Sequence, residues 1–590
     1  MKPSHYAAIG GVPDIVANYG CWLLRLRAYK TLAEIMLPID DGDDVPPQAT
    51  TSAVAAPDRS AFSPKPASYS ANSEVELKLL AEPAQFAALS QAAPIVAHAR
   101  NKGSIRLLKS IYYDTPTCAL YRAGATLRVR QIGKQFIQTL KITGGNDAEP
   151  LRRGEWESPV AAMTPDVHLL MPLVTIGLQE ALNREPLQAV FGTEVRRHVR
   201  ALKLPTGTVE VAFDQGVIKA GDKTAPIGEI ELELKHGSPT TLYDLASRLS
   251  ELGSVRPTIR SKADRGFELA FDAPPLVRKL SPPLVRPDMS VDQAFVAILQ
   301  TGLAQLLVNE PAAEDGRNPE GIHQFRVALR RLRSALTLLH SLAPSATLDT
   351  LRADARWLAS NLSGARSWDV FLSETLVEVA NGCDGLEGFD AVRALAEQAR
   401  AASYATVRQT LATPRSGRFQ LALGAWIEHR GWRHDVSGDN LAALAAPVIA
   451  FANTALTKRH AKVLKRGRHF KHLPIAARHE LRLAAKKLRY TADFFLPLFD
   501  QHASAKRYAR RLSRLQDRLG RYNDAATTRQ LIARLPADAI SADGRQALGA
   551  VLGWQACWLQ SGEKDLQAAW RTFRDAPRPW SRSHAHHHQP

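Results

Sequence analysis

Hydrophobic and polar residues alternate one by one along much of the chain between residues 73 and 272. Because successive side chains of a β-strand point to opposite faces, this period of two predicts strands. Helical spacing is limited there to segments near 83–93, 178–184 and 240–252. The predicted strands are 73–80, 108–114, 125–132, 135–142, 154–160, 195–203, 207–219 and 227–235.

Charged residues recur at intervals of two on these strands. Examples that share one strand face are Glu74, Glu76 and Lys78 near the start, and Glu229, Glu231 and Glu233 near the end. On any single strand, this pattern is typical of an antiparallel sheet with one solvated face. Its recurrence from strand to strand favours a closed, antiparallel eight-stranded barrel with a charged interior, flanked by helices on its apolar outer face.

The period changes after a proline-rich connector at 273–289. Apolar residues recur there at spacings of three and four, which predicts an all-α domain of amphipathic helices over 290–575. Segments 323–333 and 479–489 share the same spacing of histidine and basic residues, and 362–369 is echoed at 519–524. This internal similarity indicates two repeated helical-bundle halves.

Both ends of the chain lack such periodicity. Residues 1–72 are an N-terminal extension and a linker rich in Pro, Ala and Ser, and 576–590 form a polar, histidine-rich tail. Segments of this composition bury too little apolar surface to offset the entropy of ordering, so both are predicted to be disordered. Met36 is an alternative start, which leaves open whether residues 1–35 belong to the native protein.

Length and cysteine content restrict the class of protein. A chain of 590 residues is too long for one core and predicts several domains. The four cysteines are far apart and form no C-x-x-C pair, which argues against a disulfide framework and favours a reducing, cytoplasmic environment. We find no signal peptide or uninterrupted apolar stretch, so the sequence predicts no membrane segment.

The charge is concentrated in the second half of the chain. The formal net charge is +18, and residues 281–590 carry 43 Lys and Arg against 28 Asp and Glu. A basic surface of this kind attracts phosphate-rich partners such as nucleic acid, anionic membranes or polyphosphate.

Two cationic stripes stand out within that half. Positions i, i+3, i+7 and i+10 share one helix face. The stripes are His323, Arg326, Arg330 and Arg333, and His479, Arg482, Lys486 and Arg489. Each alone is typical of a solvated basic face. Their duplication favours a groove for linear polyphosphate, whereas nucleic acid is disfavoured because no aromatic residues for base stacking are interleaved.

The predicted barrel interior carries charges of both signs. Its bases can neutralise the oxygens of a triphosphate, and its glutamates are suitable ligands for Mg²⁺. No glycine-rich phosphate loop of the G-x-x-x-x-G-K-[ST] type occurs, so side chains would have to hold the phosphates. This combination points to metal-dependent phosphoryl transfer.

These motifs resemble two known domain families. The strand Glu74-Val-Glu-Leu-Lys78 is similar to the E-x-E-x-K hallmark of the CYTH domain, or triphosphate tunnel metalloenzyme, and the resemblance covers 73–272. The two basic helices within 290–575 resemble those of the CHAD domain. The resemblance departs from the CHAD pattern where Ser367 follows Arg366, leaving only Asp369 of an acidic pair.

The CYTH resemblance implies an eight-stranded tunnel that hydrolyses inorganic triphosphate or a similar compound with Mg²⁺ or Mn²⁺. Implied catalytic residues are Glu74, Glu76 and Lys78. Implied phosphate-binding residues are Lys78, Arg128, Arg130, Lys141, Arg153, Arg196 and Lys262. Implied metal ligands are Glu76, Glu155, Glu157, Glu231 and Glu233. Which glutamates bind the metal and which orient water is left open.

The CHAD resemblance implies polyphosphate binding by the stripe residues and a cytoplasmic protein associated with polyphosphate granules. Nucleic acid and membranes are not expected as partners. Two alternatives remain: a non-catalytic polyphosphate-binding adaptor, and an adenylate cyclase or thiamine triphosphatase activity of the same tunnel.

Overall fold

The computed structural model describes residues 74–142, 152–279, 281–434, 436–499 and 502–581, without the side chains of residues 74, 152–154 and 502. The predictions for 1–72 and for 582–590 of the tail lie outside these residues. The prediction of a disordered tail is wrong for residues 576–581, because Trp580 is buried in the core of the helical region. The first half of the chain forms one nine-stranded sheet. Its strands are β1 Glu74–Ala81, β2 Ser104–Asp114, β3 Ala125–Ile132, β4 Gln135–Ile142, β5 Arg152–Val160, β6 Gln188–Leu204, β7 Gly207–Ala220, β8 Lys223–Gly237 and β9 Val255–Thr258.

The sheet is antiparallel, in the order β5-β4-β3-β2-β6-β7-β8-β1-β9. Its ends meet where β1 pairs with β5, through the residue pairs Glu74↔Arg153 and Val75↔Arg152. Further along β1, from Lys78 to Ala81, the same edge pairs with β9 instead. The prediction of a fully closed eight-stranded barrel is therefore wrong. β1 and β5 meet over only two residue pairs, and beyond them a ninth strand takes this edge of β1, so the barrel is not closed along its length.

Among the residues that the structure describes, six α-helices accompany the sheet: α1 Phe86–Ser90, α2 Ala93–Val96, α3 Ala119–Arg122, α4 Ile176–Arg184, α5 Thr240–Leu252 and α6 Lys262–Ala270. The apolar side chains of the strands face outward, as their alternation predicts. Leu77 and Leu79 of β1 pack with Leu249 of α5. On the other side, Leu127 of β3 packs with Leu182 of α4. The helices thus cover apolar faces and leave the charged faces inside.

Helix α6 packs against the inner face. Its Phe267 joins Tyr112 and Phe191 in a separate apolar cluster. Gly266 is required for this approach, because a Cβ there would lie 2.0 Å from the Phe191 ring. A capping box between Ser261 and Asp264 begins the helix. The packing places Lys262, the first residue of α6, beside the charged strands.

The second half of the chain is helical. Its helices are α7 Val291–Asp315, α8 Pro319–Leu339, α9 Ala346–Asn361, α10 Ser363–Val370, α11 Leu376–Gly382, α12 Phe389–Ala412, α13 Pro414–Glu428, α14 Gly438–Ala445, α15 Val448–Arg466, α16 Ile475–Phe495, α17 His502–Ile532, α18 Ala542–Ser561 and α19 Glu563–Arg574. The two basic stripes lie on α8 and α16. The division into two repeated halves stays a prediction.

Among the described helices, α7 alone is long and apolar enough to cross a membrane. Its most apolar window is 67% buried inside the protein, which is typical of a core helix. Phe295, Leu299 and Leu306 of α7 belong to the main core of the helical region.

Candidate functional site

Charged side chains from β1, β6, β7, β8 and α6 form an ion-pair cluster on the inner face. The Lys78 ammonium lies 3.1 Å from Glu76 and 3.3 Å from Glu231. Lys262 contacts Glu229 and lies 2.7 Å from Asp214 and 3.0 Å from Glu231. The sheet register explains the grouping, because Asp214 is directly opposite Glu229 and Lys78 is opposite Glu231.

Arg197 completes this cluster. Its guanidinium donates to both carboxylate oxygens of Asp214, at 2.7 and 2.6 Å, and also to Glu231. Such a forked contact fixes both groups, because the guanidinium matches the carboxylate plane. Burial alone would raise the pKa of Glu231, but Lys262, Arg197 and Lys78 hold it well below its ordinary value. The Glu231 carboxylate is therefore ionised at neutral pH.

A second group, on β3, β4 and β5, is predominantly basic. Arg128 and Lys141 lie 3.4 and 2.7 Å from Glu155, and Arg130 donates to Ser110 at 3.1 Å. Burial and the neighbouring Arg128 lower the pKa of Arg130 to about 10 and also lower that of Lys141. The mutual repulsion of these cations would be relieved by a bound anion. Glu157 accepts a hydrogen bond from Thr139 at 3.2 Å.

Tyr112 of β2 lies beside the same cations. Its hydroxyl is buried, which by itself would raise the pKa, but Arg128 and Arg130 hold the pKa below its ordinary value. The tyrosine therefore adds a hydroxyl to an otherwise cationic wall. Tyr112 was not among the predicted site residues, because it lies in an apolar stretch of β2.

Arg196 does not lie in this site and is exposed. Its neighbour Arg197 faces inward, since Arg197 is paired directly with Asp214 in the β6–β7 ladder. The prediction of Arg196 is thus corrected to Arg197. In a strand with two adjacent arginines, charge alone does not tell which of them faces inward.

Other predicted residues are placed as follows. Glu76 of β1 is directly opposite Glu233 of β8. Glu233 also contacts Lys235 near the edge of the site. Glu74 and Arg153 are paired in the backbone ladder, but their side chains lie outside the described residues. Asp214 and Glu229 were not among the predicted site residues, although the E-x-E-x-E spacing that includes Glu229 is visible in the sequence.

Two clusters of acidic residues are candidates for binding a divalent cation. Asp214, Glu229 and Glu231 offer ligand oxygens within 4.8 Å of one another. The Lys262 ammonium already contacts all three, so a metal there would have to displace it. Glu76 and Glu233 fit better, because each contacts a single ammonium, of Lys78 and Lys235, rather than one that is shared among three carboxylates. The two glutamates are also directly opposite in the sheet, where like charges are unfavourable without further cations, and a divalent ion would supply that charge.

The two stripes of the helical region meet on facing sides of α8 and α16. Arg330 donates from Nε to the Tyr490 hydroxyl of α16 at 2.7 Å. Burial, Arg482 of the same helix and Arg330 lower the pKa of Lys486 to about 8. We call the site around Arg326, Arg330, Arg366, Arg482 and Lys486 the helical groove. The groove includes Arg366 of α10, which we did not select from the sequence as a site residue.

The cations of the helical groove repel one another. Burial and then Arg330 and Arg366 lower the pKa of Arg326 to about 10. The Nε atoms of Arg326 and Arg482 are buried without a hydrogen-bond partner among the described residues. Buried donors without partners are uncommon in proteins. The groove therefore offers unused donors and excess positive charge to an anion.

Not all stripe residues reach this groove. His479 is exposed, and Arg489 interacts with Asp493 of its own helix. Arg333 lies near Arg356 of α9. His323 is half-buried near Arg366, and burial lowers its pKa.

Asp369 is the one acid that this chain keeps of the acidic pair in the CHAD pattern. Its contacts are those of a residue that stabilises the fold. It accepts hydrogen bonds from Arg400 at 2.7 Å and from Tyr404 at 2.9 Å. Its side chain is buried and tied to α12, and these contacts account for it without a role in the groove.

Comparison with known proteins supports two domains. A CYTH domain model matches residues 72–267, and a CHAD domain model matches residues 297–533. An inorganic triphosphatase of Haemophilus influenzae is 34% identical over 163 residues, 28% of this chain and 46% of that protein. The match thus spans less than half of that relative's length.

Two further similarities extend over more of the molecule. An uncharacterized protein of Mycobacterium tuberculosis is 26% identical over 502 residues, 80% of this chain and 90% of that protein. The crystal structure of the CHAD domain from the plant Ricinus communis is 30% identical, with a TM-score of 0.44, and covers 52% of this chain and 99% of that one. The two family matches identify the chain as a member of the CYTH and CHAD families, with the CYTH domain preceding the CHAD domain.

Proposed function

We propose that the inner face of the sheet hydrolyses inorganic triphosphate or a similar triphosphorylated compound. The observation that carries the proposal is the basic group Arg128, Arg130 and Lys141, whose mutual repulsion a phosphate chain would relieve, beside a set of ionised carboxylates. Similarity to an inorganic triphosphatase agrees with this substrate class.

The reaction adds water across a phosphoanhydride bond. Water attacks the terminal phosphorus, the bond to the bridging oxygen breaks, and triphosphate yields diphosphate and phosphate. Arg128, Arg130 and Lys141 bind the phosphate oxygens and stabilise the charge that develops on them. Lys78 and Arg197 hold Glu231 ionised, so that this carboxylate can accept a hydrogen bond from the attacking water and orient it, while the proton of the water passes to the phosphate product.

The proposed hydrolysis requires a divalent cation. Mg²⁺ or Mn²⁺ would be held by Glu76 and Glu233, the opposed pair of β1 and β8. When bound, the ion neutralises phosphate oxygens that these glutamates would otherwise repel. Glu155 and Glu157 lie with the basic group, where they keep Lys141 and Thr139 in position.

Phosphate release tests the proposal. Purified protein is assayed with triphosphate, thiamine triphosphate and ATP in the presence of Mg²⁺, Mn²⁺ or a chelator. We expect release from triphosphate that the chelator abolishes. Formation of cyclic AMP would favour the cyclase alternative, and no turnover of any substrate would favour the adaptor alternative.

Glu76→Gln supplies the matched variant. It removes one charge from the opposed pair without changing side-chain volume, and we expect the rate to fall about 100-fold or more, in the range of other single charge-stabilising groups. Glu194→Gln is the control, since Glu194 is half-exposed and its only ion pair among the described residues is with Lys219 of the neighbouring strand. Equal activity of both variants would reject the role of Glu76.

We further propose that the helical groove binds polyphosphate. The observation that supports this proposal is that Arg326, Arg330, Arg482 and Lys486 lie close together. Among them, buried guanidinium donors have no hydrogen-bond partner in the described residues. Lys486→Gln is expected to weaken binding of a long phosphate chain about tenfold, as for other hydrogen bonds between charged groups. Arg545→Gln, at an exposed position on α18, is the control, with binding followed by titration calorimetry. Equal affinities of the two variants would refute the groove.

A further inference from the structure

A third basic region adjoins the helical groove. Residues 458–472 contain seven Lys and Arg, three His and no acidic residue. They run from the second half of α15 into a short 3₁₀ turn, Phe470–His472. One of the histidines, His460, is buried and hydrogen-bonded to Tyr508 at 2.8 Å, which accounts for it as a core residue. Arg466 pairs with Glu480 of α16 at 3.5 Å. The other basic side chains require another explanation.

This region is continuous with the groove. Lys487 of α16 is next in sequence to Lys486, which lies in the groove. Burial and then Arg459 and Lys462 of α15 lower the pKa of Lys487, with a smaller effect from Arg333. These four cations are therefore close together between α8, α15 and α16. Lys465 follows Lys462 by three residues, on the same side of α15.

A cavity of about 670 Å³ opens where this basic path ends. Its cationic lining is Lys465, Arg468, Lys471, Arg571 and Arg574. Among the described residues, no carboxylate lies within 4.0 Å of the first four, whereas Arg574 contacts Asp575. The volume falls within the usual range of small-ligand sites. The cavity thus combines room for a ligand with unpaired positive charge.

Helix capping accounts for only part of this charge. Lys465 occupies the last turn of α15, and Arg571 and Arg574 the last turn of α19, where cations stabilise the helix dipole. Arg468 and Lys471 lie beyond the end of α15 and gain nothing from that effect. Their unpaired charges at the cavity favour an anionic ligand.

We propose that residues 458–472 and this cavity form a second anion site, which holds the continuation of a phosphate chain bound in the helical groove. The inference rests on the proposed function of that groove. A phosphate chain fits better than nucleic acid, because the aromatic side chains here are not available to bases. Phe470 and Trp570 are each 5% exposed and stack on each other at 5.2 Å.

The test compares short and long chains. The triple variant Lys465→Gln, Arg468→Gln, Lys471→Gln is titrated with triphosphate and with long-chain polyphosphate at several salt concentrations. We expect the affinity for triphosphate to change less than twofold, because the substitutions leave both the inner face of the sheet and the groove intact. Long-chain affinity should fall about tenfold or more, with a shallower dependence on salt, because fewer counterions are released. The control carries Arg529→Gln, Arg534→Gln and Arg545→Gln, which are exposed and outside the cavity.

The outcomes separate this site from the groove. If the triple variant binds long chains as tightly as the wild type and the control, the second site is refuted, whatever Lys486→Gln does. If Lys486→Gln has no effect but the triple variant loses long-chain binding, the groove fails and the cavity remains as an anion site. If the triple variant loses only duplex DNA binding, the choice of phosphate chain is overturned.

Discussion

At the scale of single residues, the charged interior follows from which side of each strand a residue occupies. The sequence correctly predicted Glu76, Lys78 and Glu231 to face the same side, because strict alternation leaves no choice. On β6 the sequence-based prediction chose the wrong residue, because Arg196 and Arg197 are both basic. Only the pairing of Arg197 with Asp214 in the β6–β7 ladder shows that Arg197 faces inward. Neighbouring strands, not local charge, decide such cases.

The register at β6 can be tested with adjacent substitutions. Arg197→Gln leaves Asp214 and Glu231 without their guanidinium, so we expect triphosphate hydrolysis to fall at least tenfold, by analogy with other buried charge pairs that lose one partner. Arg196→Gln, the control, should retain wild-type steady-state kinetics. If Arg196→Gln lost activity and Arg197→Gln kept it, Arg196 would be the residue that faces inward.

Lys486 predicts a pH dependence. Its pKa is lowered to about 8, so its ammonium is charged below that pH and loses its proton above it. Polyphosphate affinity should therefore fall several-fold between about pH 7 and pH 9. Lys486→Arg retains the charge throughout this range and should remove the decrease. A wild type whose affinity is constant across the range would contradict the placement of Lys486 at the bound anion.

At the scale of elements, long periodic segments were predictable and short or mixed ones were not. All eight predicted strands exist, although β2, β6 and β8 begin earlier than predicted. β9 was missed because it has only four residues and contains Pro257. Helix α6 was missed because it has only nine residues and contains Gly266, and glycine is unfavourable inside a helix. Tertiary contacts define both elements.

Helix α6 provides a test at this scale. Gly266→Ala would place a Cβ against Phe191, so we expect a loss of about 1–3 kcal/mol of unfolding free energy. Activity should also fall, since the shift moves Lys262. Gly549→Ala in α18 is the control: no atom lies within 4 Å of its Cβ, and it should stabilise by up to about 1 kcal/mol. Denaturant unfolding measures both, and equal effects would contradict the tight packing of α6.

At the scale of the whole molecule, the two domains share an interface behind the site. Arg256 of β9 lies 3.1 Å from Glu310 and 3.2 Å from Glu314, both on α7. Leu421 of α13 belongs to the apolar core outside the sheet, and Gly424 packs against Tyr243. Because β9 also pairs with β1, the helical domain supports the strand that carries Glu76 and Lys78. Sequence periodicity alone does not show such contacts.

Arg256→Ala should therefore affect both domains. Removing one partner of a largely buried ion pair costs about 3 kcal/mol, and we expect lower thermal stability together with lower triphosphatase activity. Arg352→Ala, which removes a surface contact to Asp349, is the control and should cost less than about 1 kcal/mol. Unchanged activity in a destabilised Arg256→Ala protein would show that the interface does not support the site.

The central claim is that the charged inner face hydrolyses triphosphate, and product analysis tests it most directly. Triphosphate and Mg²⁺ are incubated with the full-length protein and followed by phosphorus NMR, with Glu76→Gln in parallel. We predict that the wild type converts each triphosphate into one diphosphate and one phosphate while the variant leaves the substrate intact. Unchanged triphosphate in the wild-type sample, or equal conversion by Glu76→Gln, would contradict the account.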